Sequence, residues 1–239
     1  MTLAYARALA EVLVDLLRPA CQRIEIAGSI RRQKPNPNDI EVVTIPRFAL
    51  PEQLVMEDPG CRAGTIALDE RVNELNEQCD WLFRQGILEK RPDTHGRYCW
   101  GTGIKRAVFF QGNDYAPVDL FQVIAPVQWG LIYAIRTGPS DFNHLLVTSR
   151  WFGGACPKGR KVAGGRVWDM GRLSPDQQRE LAAIPAPKFA RLAEAGRLPV
   201  EMIPTPTEES FFAALGVPCW PPEQRTRAHI RACLQRMKG

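Results

Sequence analysis

The chain has only three histidines, at positions 95, 144 and 229, and none has a serine or acid beside it in a relay spacing. A Ser-His-Asp or Cys-His hydrolytic centre therefore has little support. The seven cysteines, at 21, 61, 79, 99, 156, 219 and 233, include no CxxC and no Cys/His pair at zinc spacing. They read as reduced thiols that pack like small hydrophobes. No apolar run approaches the roughly 20 residues of a membrane-spanning helix, and no basic stretch leads into an apolar core at the N-terminus. A cytoplasmic protein with no membrane partner is expected. Glycine-rich Gly154 to Lys161 lacks the Gly-Lys-Ser/Thr ending of a phosphate-binding P-loop. Neither internal repeats nor low-complexity tracts occur.

What is present fits an ordinary globular protein: 239 residues, 45% hydrophobic and 24% charged, enough for one large domain or two modest ones. Charge divides unevenly. Lys+Arg against Asp+Glu stands at 15 to 17 before Ala125 and 16 to 9 from there on, that is −2 and then +7. An acidic lobe beside a basic one suits an enzyme that handles both cations and polyanions. The tryptophans at 81, 100, 129, 151, 168 and 220 read as core residues rather than stacking platforms.

Periodicity supplies the elements. Leu9, Leu13, Leu16 and Leu17 mark an opening helix over 3–18 that stops at Pro19. Alternation predicts strands up to Gly28 and over Asp39 to Ile45, and a helix carries the stripe Leu68, Val72, Leu75, Cys79, Leu82, Phe83 as far as Gly86. Ile104–Phe110 and Val118–Ile124 form a predicted hairpin around Gly112-Asn113-Asp114. Helices follow over 126–136 and 139–152, and later starts are expected at Ser174-Pro175 and Thr205-Pro206, the latter with Thr205 and Glu208 at capping-box spacing. The tail reads as loops, a small sheet and short helices.

The acids are more telling. In Asp39-Ile40-Glu41 strand alternation turns both carboxylates the same way, and such paired acids suit a hard divalent cation. Asp119 sits in the apolar strand Pro117-Val118-Asp119-Leu120-Phe121, where an unpaired carboxylate is costly. If its strand lies beside that of Asp39 and Glu41, three carboxylates converge in the manner of two-metal phosphoryl-transfer sites. An arginine partner for Asp119 is the competing expectation. Upstream stands Gly28-Ser29-Ile30-Arg31-Arg32, a turn whose amides, hydroxyl and guanidinium groups are suited to phosphate oxygens.

Strand, Gly-Ser turn, paired arginines and then a carboxylate pair resemble the nucleotidyltransferase superfamily, and within it the beta-like DNA polymerases of family X. Thr137-Gly138-Pro139-Ser140-Asp141-Phe142-Asn143 is similar to the family segment beside the incoming nucleotide. Thr207-Glu208-Glu209-Ser210-Phe211-Phe212 with Pro221-Pro222-Glu223 resembles the family's closing thumb segment. The resemblance implies an α/β palm with a small mixed or antiparallel sheet over 1–124 and a mainly helical thumb over 125–239. Asp39, Glu41 and Asp119 would hold two Mg²⁺ or Mn²⁺ ions, and Gly28, Ser29, Arg32, Thr137, Gly138 and Asn143 the nucleotide. Asn143 is expected at the nucleotide's minor-groove edge. Lys105, Arg106, Lys158, Arg160 and Lys161 are the expected DNA contacts. Glu41 stands where these polymerases usually carry aspartate, and Ile135-Arg136 replaces the aromatics that often precede Thr-Gly. Because the palm-like pattern starts almost at Met1, no lyase module is expected, and a compact palm and thumb suits a phage or mobile element. The implied protein is a monomer that adds nucleotides from a nucleoside triphosphate to a DNA primer-template, as in gap filling. A template-independent terminal transferase, or a nucleic-acid-binding module without catalysis, remains open.

Overall fold

The computed structural model describes residues 1–50 and 71–237. Leu68, at the head of one predicted helical stripe, and Cys61 lie outside the described residues. The chain divides into two compact units, Met1–Ile124 and Ala125–Gly239.

The first unit opens with α1 (Leu3–Leu17), capped by the Thr2 hydroxyl, which accepts from the Tyr5 amide. Strand β1 (Cys21–Ile26), α2 (Gly28–Arg31), β2 (Ile40–Pro46) and the short pair β3 (Phe48–Ala49) and β4 (Val72–Asn73) follow. Next come α3 (Glu74–Arg84), β5 (Leu88–Lys90), β6 (Ile104–Gln111) and β7 (Asp114–Gln122). The main sheet has the order β1-β2-β7-β6-β5. Its β2–β7 pair is parallel and the others antiparallel, so of the two forms expected, mixed or antiparallel, the sheet is the mixed one.

One sheet face is covered. Leu9, Leu13 and Leu17 of α1 and Leu75, Cys79 and Leu82 of α3 pack into one core with Ile24, Val42, Ala107, Phe109, Val118 and Leu120. Strand alternation then sends Glu41, Arg106 and Asp119 to the opposite face. The predicted hairpin forms, turning at Gly112 with φ +60. Proline is tolerated in β7 because pairing with β2 begins only at Val118, one residue past Pro117.

Some boundaries differ from the sequence expectation. Helix α3 starts at Glu74 because Asn73 caps it, its Oδ1 accepting from the Asn76 amide. Val72, assigned from periodicity to that helix, lies instead in β4.

The second unit carries α4 (Trp129–Thr137), α5 (Ser140–Val147), β8 (Arg160–Ala163), β9 (Arg166–Asp169), α6 (Pro175–Ala183) and α7 (Ala186–Glu194). It ends with β10 (Glu201–Ile203), α8 (Glu208–Leu215) and α9 (Arg227–Arg236). A small antiparallel sheet, β10-β9-β8, packs Trp168 and Met170 against Phe189 and Ala190 of α7. Helices α4, α5, α8 and α9 share a second core through Leu131, Phe142, Phe211, Phe212 and Ile230. Helix α5 stops at Val147, short of the expected 152, and Arg150–Phe152 form a separate 3-10 turn. The predicted capping box shifts by two residues. Thr207, not Thr205, caps α8 reciprocally with Ser210, while Thr205 is buried and its hydroxyl donates to the Val127 carbonyl. Among the described residues no helix is long and apolar enough to cross a membrane.

Candidate active site

The register of β2 against β7 places Glu41 opposite Asp119, and the register of β6 places Arg106 opposite Asp119 on the other side. Asp39 does not lie in the strand as expected but one residue before it. It nevertheless reaches the same corner. Burial and then the Asp119 charge push the Asp39 carboxyl above its ordinary value, with Arg91 and Arg32 pulling it down. Asp39, Asp119, Arg32 and Arg91 are thus electrostatic neighbours, and the strand register adds Glu41.

Arginines hold the most buried of these acids. Arg91 Nη2 donates to Asp119 Oδ1 at 2.7 Å, and Arg106 Nε stands 3.6 Å from Oδ2. Only 12% of the Asp119 side chain is exposed, so the pairing relieves a carboxylate that burial would otherwise penalise heavily. The expectation of an arginine partner is met, by a residue the motif reading did not single out. Arg91 follows the edge strand β5, with nothing in Lys90-Arg91-Pro92 to mark it, and its amide bonds to the Arg106 carbonyl.

Gly28 has a steric duty at this corner. A Cβ there would lie 2.0 Å from Glu41 Oε2, and φ is +62, so only glycine lets the Glu41 carboxylate rest against the turn. Beside it the Ser29 hydroxyl is buried with no hydrogen-bond partner among the described residues. A buried hydroxyl left unpaired in a native fold calls for a ligand or solvent partner.

Among the described residues no three His, Cys, Asp or Glu side chains stand close enough together to form a ready metal cluster. Asp119 is paired with Arg91 and Arg106, and the Glu41 carboxylate lies against Gly28. The donor chemistry still suits a hard divalent ion, since the corner offers carboxylate oxygen from two adjacent strands and no soft ligand.

Thr137 ends α4 and is fully buried, and Gly138 is its C-cap. Asn143 braces this turn, its Nδ2 donating to the Ile135 and Gly138 carbonyls, each at 2.7 Å. Its Oδ1 is buried, and a Cβ on Gly138 would lie 2.3 Å from it. The minor-groove edge offers mainly acceptors, and both donors of this amide are committed to the main chain. The residue expected at the nucleotide thus has its amide nitrogen engaged in bracing the turn, while Oδ1 has no hydrogen-bond partner among the described residues.

Three of the five expected DNA contacts are engaged inside the fold, Arg106 on Asp119 as above, and Lys105 and Lys161. Lys105 is only 4% exposed, because alternation puts it on the face that α1 and α3 cover; Arg106 lies on the other face. The Lys105 amine stands 5.0 Å from the Trp100 ring centroid. Lys161 Nζ donates to the Ala182 and Ile184 carbonyls at 2.6 and 2.7 Å, capping the C-terminus of α6. Lys158 is exposed and Arg160 half-buried.

A further pair escaped the sequence reading. Arg225, 2% exposed, donates to Glu208 Oε1 at 2.7 Å and to the Trp220 carbonyl at 3.0 Å. It ties α8 to the proline-rich segment after it, so the two halves of the closing motif are joined by a buried ion pair.

A crystal structure of Leishmania infantum polymerase beta, a ternary P/T complex, superposes with a TM-score of 0.57 at 17% identity, covering 93% of this chain and 74% of that one. The chain has a polymerase beta-like fold. No protein-family model and no curated protein matches it.

Proposed function

We infer that the chain is a metal-dependent nucleotidyltransferase that extends a DNA primer. The observation that carries this is the corner where Glu41 and Asp119 face each other across parallel strands, with Asp39 alongside and the unpartnered Ser29 hydroxyl on the adjoining turn. The polymerase beta-like fold supports it, because that architecture is here combined with acids at one end of the central strands.

In this reading Asp39, Glu41 and Asp119 hold Mg²⁺ or Mn²⁺. Bound ions of this kind favour the deprotonated hydroxyl and neutralise charge on the triphosphate. The remaining work falls to the chain. The Ser29 hydroxyl and the turn amides donate to phosphate oxygens, and Arg32 offers a planar guanidinium to the same group. Asp119, kept in orientation by Arg91 and Arg106, positions the primer 3′-hydroxyl for attack on the α-phosphate, from which pyrophosphate leaves. Position and charge, rather than covalent chemistry, provide the rate. The first unit serves as palm and the second, with its excess of +7, as the DNA-gripping thumb.

Gapped and blunt DNA offered with each deoxy- and ribonucleoside triphosphate tests this. Wild type is expected to incorporate the nucleotide that the opposite strand dictates. Asp119→Asn is expected to lose incorporation by about 10³-fold or more while still binding DNA. DNA binding by wild type without any incorporation, in Mg²⁺ or Mn²⁺, would refute it.

A further inference from the structure

The loop Ser149–Cys156 of the second unit is ordered out of proportion to its length. Its ends are tied by Arg150 N to the Cys156 carbonyl and Cys156 N to the Thr148 carbonyl, and Gly154 N bonds to the Ser149 carbonyl. Arg150 adds an internal brace, donating through Nε to the Ala155 carbonyl and through Nη2 to the Leu215 carbonyl on α8. Gly154 passes so close to Thr148 that a Cβ would lie 2.0 Å from that carbonyl oxygen, and Gly153 turns the chain at φ +84. The tip that these ties hold out carries Phe152, 53% exposed.

Single exposed apolar residues are common and need no explanation. Phe152 differs in its mounting and in its neighbours. The loop's fixed geometry means that little ordering entropy is lost when the ring meets a flat partner. Trp151, the residue before Phe152 in the same turn, has its ring engaged by Lys158 Nζ at 4.3 Å from the centroid, so a cation is held on the adjoining residue. Arg160 opens β8 two residues further on. An exposed aromatic on a braced loop, with a cation held on the adjoining tryptophan and an arginine soon after it in the chain, in a unit with a +7 excess, fits a partner that offers flat rings and anions in alternation.

We propose that Phe152 stacks on an unpaired nucleobase, with Lys158 and Arg160 on the flanking phosphates, so that this loop binds the single-stranded segment next to a duplex end. This rests on the nucleic-acid reading above but concerns a different place in the chain, with no carboxylate involved. A single strand is favoured over a closed duplex because a paired base presents only its edge, whereas stacking needs a face.

The test measures equilibrium binding by fluorescence anisotropy, with the full chain in EDTA so that no turnover occurs. The probes are one DNA duplex made blunt, with a short single-stranded overhang, and with the same overhang lacking its bases. Phe152→Ala is expected to weaken overhang binding roughly tenfold and leave blunt binding unchanged, and Phe152→Trp to restore it. Wild type on the baseless overhang is expected to match Phe152→Ala. Lys158→Ala is expected to lower the salt slope of binding by about one, and Phe152→Ala to leave the slope as it is. Equal affinity of wild type and Phe152→Ala for the overhang, or equal losses on blunt and overhang DNA, would overturn the proposal. So would a Phe152→Ala defect in binding anionic vesicles with none toward DNA. The two readings fail separately. Nucleotide incorporation that Asp119→Asn abolishes, with no Phe152 effect on binding, sinks only the stacking role. The Phe152 effect without any incorporation by wild type sinks only the catalytic one.

Discussion

An ammonium group packed beneath α1 and α3 is expensive to keep. Burial lowers the Lys105 amine from its ordinary value of 10.5, and the compensation visible is the Trp100 ring and the nearby charge of Asp80. Below the lowered folded value, folded and unfolded chains both carry the proton and the burial cost is present in full; above 10.5 neither does. Wild-type stability should therefore rise with pH across that window. Lys105→Met is expected to stabilise the chain by about 1 kcal/mol at neutral pH, with the gain shrinking toward alkaline pH and DNA affinity unchanged. Urea denaturation at several pH values measures this, and a destabilised variant or a loss of DNA binding would show that the amine has another task. A loose resemblance of Lys105-Arg106 after Gly103 to a DNA-contacting stretch put Lys105 among the expected DNA contacts. The alternation of β6, legible in Lys105-Arg106-Ala107, already implied that only one of the adjacent cations could share a face with Asp119, but not which face the helices cover.

At the scale of elements, residues expected to act on ligands are found closing the ends of helices and turns. Lys161 is the clearest case, since it satisfies two carbonyls at the C-terminus of α6. Lys161→Ala is expected to destabilise the second unit by about 1–2 kcal/mol, read as a fall in Tm, while DNA affinity and its salt slope stay as in wild type. An unchanged Tm with a lower salt slope would return Lys161 to the DNA interface. Asn143 follows the same pattern, with both amide donors spent on α4 and the turn after it. Sequence reading reached the α5 start and the Thr-Gly turn because proline and glycine signal them. It could not reach the brace, because an asparagine reading a base and one holding a turn are written identically. Helix starts were likewise legible only to within a few residues: Asn73 won as a cap over the start that periodicity favoured, and Thr207 over Thr205, which capping-box spacing favoured.

For the whole molecule, the strands that carry the acids were legible from alternation, whereas the sheet, mixed or antiparallel, was only what the resemblance implied, and its mixed form comes from the parallel β2–β7 pair. The pairing of Glu41 with Asp119 required tertiary structure, as did the arginines, since Arg91 comes from an edge of the sheet remote in sequence. Those arginines occupy the place of positive charge that the acids require. If Asp39, Glu41 and Asp119 form one cation-binding centre, a divalent ion must compete with Arg91 for Asp119, and affinity in the absence of nucleotide will be modest. Electron paramagnetic resonance titration of Mn²⁺ into the wild-type chain and into Asp119→Ala tests this most directly. Binding by wild type that Mg²⁺ displaces, and that Asp119→Ala reduces by about tenfold or more, is the expected result. Identical Mn²⁺ binding by the two proteins, or none by wild type even with a nucleoside triphosphate present, would contradict it.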